Sequence, residues 1–278
     1  MEDFYSWKHL VPPLEPKVAE HITETLGFDR VSKVQKAVIP LFLSNKDVCV
    51  KACTGSGKTL AFTVPIVQQL LKLESQTYAN NEVAVMILAP SRELAIQIFR
   101  VLEQFRSLVP EKFSMCYLIG GNKIEYDLKR IADKGCNVLV GTVGRVFDLF
   151  KRNELSFKRL EVLVMDEADK ILEDGHETQI SHIMGVLPRQ RRTGLFSATM
   201  PQQLKQLIKL GMRNPHFVEV RLEDAGIFAL HKEKPETFTI KEFTVGEEMK
   251  QQIQEISEVP SNLQNFYQAV ASQVDKLP

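Results

Sequence analysis

The chain has 278 residues, 44% of them hydrophobic, enough to build one large α/β domain or two small ones. Its 35 basic and 35 acidic side chains sum to zero but are unevenly placed: residues 223–278 hold ten acids and five bases, leaving 25 acids and 30 bases in residues 1–222. A modestly basic body with an acidic tail fits a polyanion partner without requiring one; no apolar run approaches the ~18 residues of a membrane span, and the acidic start Met1-Glu2-Asp3-Phe4-Tyr5 has no apolar leader core, so a soluble intracellular protein is expected.

In chain order, Val48-Cys49-Val50-Lys51 reads as a strand running into a glycine-rich turn. A helix follows, and Pro65 should kink it, because its ring removes one helical hydrogen bond. Residues 82–88 (EVAVMIL), 113–119, 137–140, 162–165 and 193–196 are further strand candidates, continuous enough in apolar character for central positions of a parallel sheet. Helical stripes lie between them: Leu94, Ile98, Val101, Leu102 and Phe105 within 92–108, and Leu204, Leu207 and Ile208 within 201–212, where Pro201 suits a first turn. This alternation predicts a mostly parallel sheet with helices on both faces. Beyond about Val220 the pattern weakens. Residues 223–262 read as a charged linker in which 246–257 could form one short helix, and residues 263–278 as the beginning of a further unit. Cys49, Cys53, Cys116 and Cys136 form no C-x-x-C pair and have no histidine cluster near them. Small core residues in a reducing compartment are expected, not a metal site or a disulfide.

Two segments carry chemistry. In Ala52-Cys53-Thr54-Gly55-Ser56-Gly57-Lys58-Thr59, a glycine-rich turn between strand and helix aims backbone N–H groups at phosphate oxygens. Gly55 and Gly57 permit close approach, Lys58 can reach the β- and γ-phosphates, and the Thr59 hydroxyl can ligate magnesium. Ala52 stands at the first glycine of the general G-x-x-x-x-G-K-[ST] pattern, so the bare pattern is only partly met. In Asp166-Glu167-Ala168-Asp169 the apolar run 162–165 places Asp166 at a strand's carboxyl end, where open α/β sheets bind ligands. Asp166 can hold magnesium, directly or through water, and Glu167 can orient or deprotonate a water. Lone adjacent acids are more often a solvated loop; the apolar strand before them and the phosphate loop upstream reverse that balance.

These segments, with five others in the same order, closely resemble the DEAD-box family of ATP-dependent RNA helicases over residues 7–222. The family spells its phosphate loop A-x-T-G-x-G-K-T, which accounts for Ala52 and adds Thr54 and Ser56 to the nucleotide cradle; Asp166 to Asp169 spell its second motif in full. Ser197-Ala198-Thr199 matches the third motif, which with Asp169 implies coupling of nucleotide state to unwinding. Gly27-Phe28 followed by Gln35 matches the adenine-reading segment, with Trp7 as its upstream aromatic. A glutamine amide donates and accepts at once, so Gln35 would select ATP. Pro90-Ser91-Arg92-Glu93-Leu94-Ala95, Gly120-Gly121 and Thr142-Val143-Gly144-Arg145 match three RNA-contacting segments. The resemblance implies a RecA-like P-loop domain over 1–222, ATP and Mg2+ as cofactors, and an RNA backbone track lined by Arg92, Gly121, Thr142, Gly144 and Arg145. Val143 stands where the family has proline, removing a φ restraint beside that track. Ser32-Lys33 stands where Thr-Pro is frequent.

Residues 7–10 (WKHL), 39–48, 211–215 (GMRNP) and 259–267 resemble the nucleolar branch acting on large-subunit ribosomal precursors, implying pre-ribosomal RNA as partner and the nucleus and nucleolus as location. The family's second RecA-like domain carries an H-R-x-G-R-x-x-R segment that faces the γ-phosphate. None occurs in these 278 residues, and residues 263–278 read as that domain's truncated start. Two activities therefore stay open: an RNA helicase of which this is the nucleotide-binding half, and a catalytically incomplete ATP- and RNA-binding module. A DNA helicase of the same superfamily is a third reading, opposed by Gln35 and the full D-E-A-D spelling.

Overall fold

The computed structural model describes residues 5–220 and the strand Thr239–Glu242. The expected domain limits at 222 and 262, the helix at 246–257 and the unit at 263–278 lie outside the described residues.

Seven strands run parallel: β1 (Val48–Ala52), β2 (Val85–Ala89), β3 (Met115–Leu118), β4 (Val138–Thr142), β5 (Val162–Met165), β6 (Arg192–Ser197) and β7 (His216–Val220). Their order across the sheet is β3-β4-β2-β5-β6-β1-β7, and β8 (Thr239–Glu242) adds antiparallel to β7. Neither β7 nor β8 stands out in the sequence, and β8 falls inside the stretch read as linker. The helices are α1 (Pro16–Glu20), α2 (Lys33–Leu43), α3 (Lys58–Lys72), α4 (Arg92–Gln104), α5 (Ile124–Lys134), α6 (Val143–Lys151), α7 (Ala168–Glu173), α8 (Glu177–Val186) and α9 (Gln202–Gly211), with a 3-10 turn at Trp7–His9 and a π turn at His21–Thr25.

Strand side chains alternate between two cores, as the two-residue period of a strand requires. Val85, Ile87 and Ala89 of β2 join one cluster with α2, α3 and α4, whereas Met86 and Leu88 join the other with α6, α7, α8 and α9. Burial on both faces is why these strands read as unbroken apolar runs. Helix α3 continues through Pro65 to Lys72, and Pro201 caps α9 instead of entering it. At the sheet's amino edge, Asp47 Oδ1 accepts from Thr193 N (2.8 Å) and Oδ2 from Arg213 N (2.7 Å), so one buried carboxylate ties the approaches to β1, β6 and β7. Burial raises its pKa, and the two backbone donors oppose that rise.

The cysteines correct one expectation. Cys116 on edge strand β3 and Cys136, just before β4, are joined as a disulfide with their Cα atoms 5.3 Å apart. The parallel β3–β4 pairing brings them together across 20 residues, which spacing alone does not reveal. Cys49 and Cys53 are free, and burial pushes the Cys49 thiol above its ordinary range.

Candidate functional site

All the motif residues after Gln35 lie at or just past strand ends on the carboxyl side of the sheet. The turn after β1 places Gly55 and Gly57 at φ +83° and +95°, left-handed values that favour glycine. A Cβ on Gly55 would meet nothing within 4 Å, whereas one on Gly57 would lie 2.7 Å from Gln35 Nε2 and 2.8 Å from Ser32 Oγ. Thr54 and Gly55 are exposed, and Ser56 turns inward, its Oγ donating to Cys53 O at 2.9 Å. Lys58 opens α3 with its ammonium folded back, donating to Ala52 O (2.8 Å) and Cys53 O (3.0 Å). The helix start behind it leaves first-turn N–H groups without helical acceptors, among them those of Lys58 and Thr59. The loop thus keeps the Lys58 cation on its own carbonyls, beside the N–H groups of the helix start.

Gln35 reaches the same loop. Ser32 and Gln35 form a capping box at the start of α2: Gln35 Oε1 accepts from Ser32 N at 2.7 Å, and Gln35 N donates to Ser32 Oγ at 3.4 Å. Gln35 Nε2 also donates to Gly57 O at 3.2 Å. One N–H and one lone pair of the amide remain, the pair that the edge of an adenine requires. The Ser32-Lys33 departure is absorbed, since Ser32 caps and Lys33 occupies the first helical position. Trp7 requires a correction. It is 1% exposed and offers no face to a base; its indole N–H donates to Phe28 O at 2.8 Å. Trp7 therefore fixes the Phe28 backbone, and Phe28, 46% exposed, presents the free ring.

Two strands from β1, Asp166 follows β5, 3% exposed, with its backbone N–H on Leu88 O and its Oδ1 accepting from Glu167 N at 3.0 Å. Burial raises its pKa to about 6, while the Lys58 charge pulls it down. Glu167 adopts φ +49°, ψ +49°, an uncommon conformation for a non-glycine residue and one that concentrates at functional sites. Its carboxylate is 3.0 Å from Lys170 Nζ. Asp169 is 5% exposed: Oδ2 accepts from Thr199 N (2.9 Å) and Thr199 Oγ1 (2.8 Å), and its own N–H donates to Ser197 Oγ (3.3 Å). Burial would raise Asp169, but these donors outweigh it and hold the carboxyl below its usual range. The second and third motifs are therefore joined directly.

The described residues contain no cluster of three or more His, Cys, Asp or Glu side chains able to cage a metal. Magnesium does not need one: it takes one or two carboxylates plus phosphate oxygens and waters, and the oxygens of Asp166 and Thr59 fit that demand.

Past β2, β3 and β4 lie the remaining candidates. Ser91 caps α4, its Oγ accepting from Leu94 N at 3.1 Å, and this sets Arg92 exposed at the helix start. The Arg92 guanidinium lies across the paired glycines, 2.6 Å from where a Cβ on Gly121 would stand. Thr142 and Gly144 are half-buried around the start of α6. Val143 is 1% exposed, so core packing anchors the loop where a proline ring would otherwise restrain it. Arg145 departs from expectation: it is 8% exposed, with Nε donating to Ile119 O at 3.2 Å and Nη2 donating to Asn122 O. It braces the glycine turn from within and does not line an open track. Asp127, which no motif or pattern singles out, stands beside it.

Only β6 separates the strands that carry the phosphate loop and the buried carboxylate, the layout of a RecA-like nucleoside-triphosphate-binding domain of the P-loop class. Comparison with known proteins narrows that class. Residues 32–207 match the family described as DEAD/DEAH box helicase, and the chain belongs to that family. It is 44% identical over 237 residues to ATP-dependent RNA helicase DDX55 of Gallus gallus, covering 83% of this chain and 39% of the relative. To DEAD-box ATP-dependent RNA helicase 18 of Arabidopsis thaliana it is 46% identical over 213 residues, covering 76% of this chain and 36% of the relative. A DEAD box protein from the hyperthermophile Methanococcus jannaschii superposes with a TM-score of 0.66 at 32% identity, covering 76% of this chain and 55% of that one. The chain thus spans well under half the length of these two curated relatives. Among the described residues no helix is long and apolar enough to cross a membrane.

Proposed function

We propose that this chain is the nucleotide-binding half of an ATP-dependent RNA helicase. The observation that carries the reading is the direct tie between the second and third motifs, Asp169 to Thr199 and Ser197, set beside an intact phosphate loop. ATP would sit with its phosphates on residues 54–59 and its base between Phe28 and Gln35. Bound magnesium would neutralise phosphate charge, held by Asp166 and the Thr59 hydroxyl. Lys58 would exchange its two loop carbonyls for phosphate oxygens, and Glu167 would leave Lys170 to orient the attacking water. RNA would cross Arg92, Gly121, Thr142 and Gly144 by its backbone, with Arg145 supporting the turn from below.

A facing domain with arginines at the γ-phosphate completes such a site, and arginine fingers are worth about 10³–10⁵ in rate in related NTPases. Purified residues 1–278 are therefore expected to bind ATP weakly, with turnover near background, and a form extended by an arginine-bearing second domain to show RNA-stimulated turnover. RNA-stimulated turnover by 1–278 alone, at the rate of the extended form, would sink this division of labour. Failure of the extended form to separate an RNA duplex would favour instead a non-catalytic module that binds ATP and RNA. The likeness of residues 7–10 and 39–48 to the nucleolar branch supports pre-ribosomal RNA as substrate and the nucleolus as location, which crosslinking to precursor RNA in cells would test.

A further inference from the structure

The turn that carries Gly120 and Gly121 is held from beneath by two arginines sharing one carboxylate. Arg145 Nε donates to Ile119 O at 3.2 Å and its Nη2 donates to Asn122 O. Arg130 Nη2 donates to Tyr117 O, and its guanidinium covers the Tyr117 ring 5.0 Å from the centroid. The three carbonyls bracket the paired glycines. Asp127 stands between the arginines, Oδ1 accepting from Arg130 Nη2 at 2.9 Å and Oδ2 lying 3.5 Å from Arg145 Nε. The Asp127 and Arg145 side chains are 10% and 7% exposed.

An acid in the first turn of a helix ordinarily complements the helix dipole from solvent. Asp127 does not match that role, because it is buried and aimed at two guanidiniums. Without its charge, the buried Arg145 guanidinium would lose its counter-ion beside the half-exposed Arg130 cation, which favours displacement of one of the two. If Arg145 moves it releases the carbonyls that flank Gly120 and Gly121, and if Arg130 moves it releases Tyr117 O at the strand leading into the turn. On the other side of the turn, Arg92 rests against Gly121, so displacement of the turn displaces the exposed cation too.

We propose that Asp127 is a positioning residue for the polynucleotide track: through Arg145 on Ile119 O and Asn122 O, and through Arg130 on Tyr117 O, it fixes the 117–122 backbone so that Gly121 and Arg92 keep the spacing that a nucleic-acid backbone requires. The proposal rests on the reading that this track takes RNA. Asp127 touches no RNA and acts through the groups that do.

The test is binding of a fluorescein-labelled single-stranded oligouridylate to residues 1–278, followed by anisotropy, for the unmodified chain, Arg92→Ala, Asp127→Asn, Arg145→Lys and the Asp127→Asn/Arg145→Lys pair. Asp127→Asn should weaken binding about tenfold, the lower end of the effect seen when residues that orient metal ligands are replaced. Arg145→Lys keeps the charge but loses the fork that spans two carbonyls, and should weaken binding similarly. Because both act through one clamp, the double variant should lose no more than either alone. Amide exchange at 120–122 should speed up in Asp127→Asn while residues 55–58 keep their rates. No oligouridylate binding by the unmodified chain, or no loss in Arg92→Ala, overturns the RNA reading and this inference with it. A loss in Arg92→Ala with full affinity in Asp127→Asn overturns the inference alone. So do losses that multiply in the double variant, or unchanged exchange at 120–122. Should Asp127→Asn fail to fold, Arg145→Lys decides: full RNA affinity there overturns the proposal.

Discussion

Replacing each phosphate-loop glycine with alanine separates two physical costs that usually occur together. Both Gly55 and Gly57 hold positive φ, so either alanine incurs about 1–2 kcal/mol of left-handed strain. At Gly55 nothing further is lost, because its Cβ direction is open. At Gly57 the new methyl would overlap Gln35 Nε2 and Ser32 Oγ, 2.7 and 2.8 Å from the Cβ position. Gln35 must then give up its bond to Gly57 O, worth about 1 kcal/mol. The capping box that Gln35 and Ser32 build should lose about 1 kcal/mol more. Gly57→Ala should therefore cost about 3–4 kcal/mol and Gly55→Ala about 1–2 kcal/mol, a large gap against the 5–15 kcal/mol of an ordinary domain. Urea unfolding can be followed by Trp7, the single tryptophan of the chain and fully buried. Equal midpoints for the two variants, at equal urea dependence, would refute the claim that the Ser32–Gln35 capping box is braced on the glycine-rich loop at Gly57.

Trp7→Phe leaves Phe28 O without its donor and should cost about 1 kcal/mol of stability by circular dichroism. It should also narrow the ATP-over-GTP preference by loosening Phe28 and the loop before Gln35; an unchanged preference would argue against that role. For Asp169 the folded carboxyl titrates below its unfolded value. The stability it contributes is thus fully present above the unfolded pKa, near 4, and is lost as pH falls through the folded value. Asp169→Asn should destabilise at pH 7 and match the unmodified chain in acid, as pH-dependent urea midpoints would show. A deficit that persists unchanged into acid would mean that packing, not charge, joins Asp169 to Thr199.

The layered fold was legible because strands buried on both faces must be continuously apolar, and β2, β5 and the first three residues of β4 are. Strand β7, with Glu219 between Val218 and Val220 at the open edge of β1, has too short and mixed a pattern to declare itself. The glycine-rich turn could also be read, since the positive φ of Gly55 and Gly57 is local backbone geometry that the chain carries wherever it goes. Trp7, Arg145 and Asp127 could not. Whether an indole or a guanidinium faces water or a buried carbonyl depends on which segments the fold lays beside it, and Phe28, Ile119 and Asn122 are 21, 26 and 23 residues away. The Cys116–Cys136 pair was hidden for the same reason.

Strand order also divides the candidate site in two. The residues assigned to RNA follow β3, β4 and β2, three neighbours at one side of the sheet. Those assigned to the phosphates and to coupling follow β5, β6 and β1, the next three, while Phe28 and Gln35 precede β1. The seam is the β2–β5 pair, where Asp166 N–H donates to Leu88 O at 3.0 Å, four residues before Arg92. Nucleotide and polynucleotide would thus meet at one hydrogen-bonded junction. Arg92 stands past that seam as an exposed cation, so its effect should be electrostatic. Arg92→Ala should lower RNA affinity most at low salt and reduce the slope of log affinity against log salt by about 0.7, one single-strand phosphate contact. ATP affinity in the absence of RNA should change far less. A lowered RNA affinity with an unaltered salt slope would mean that Arg92 shapes the Gly121 turn without touching phosphate, and the track would then need another cation.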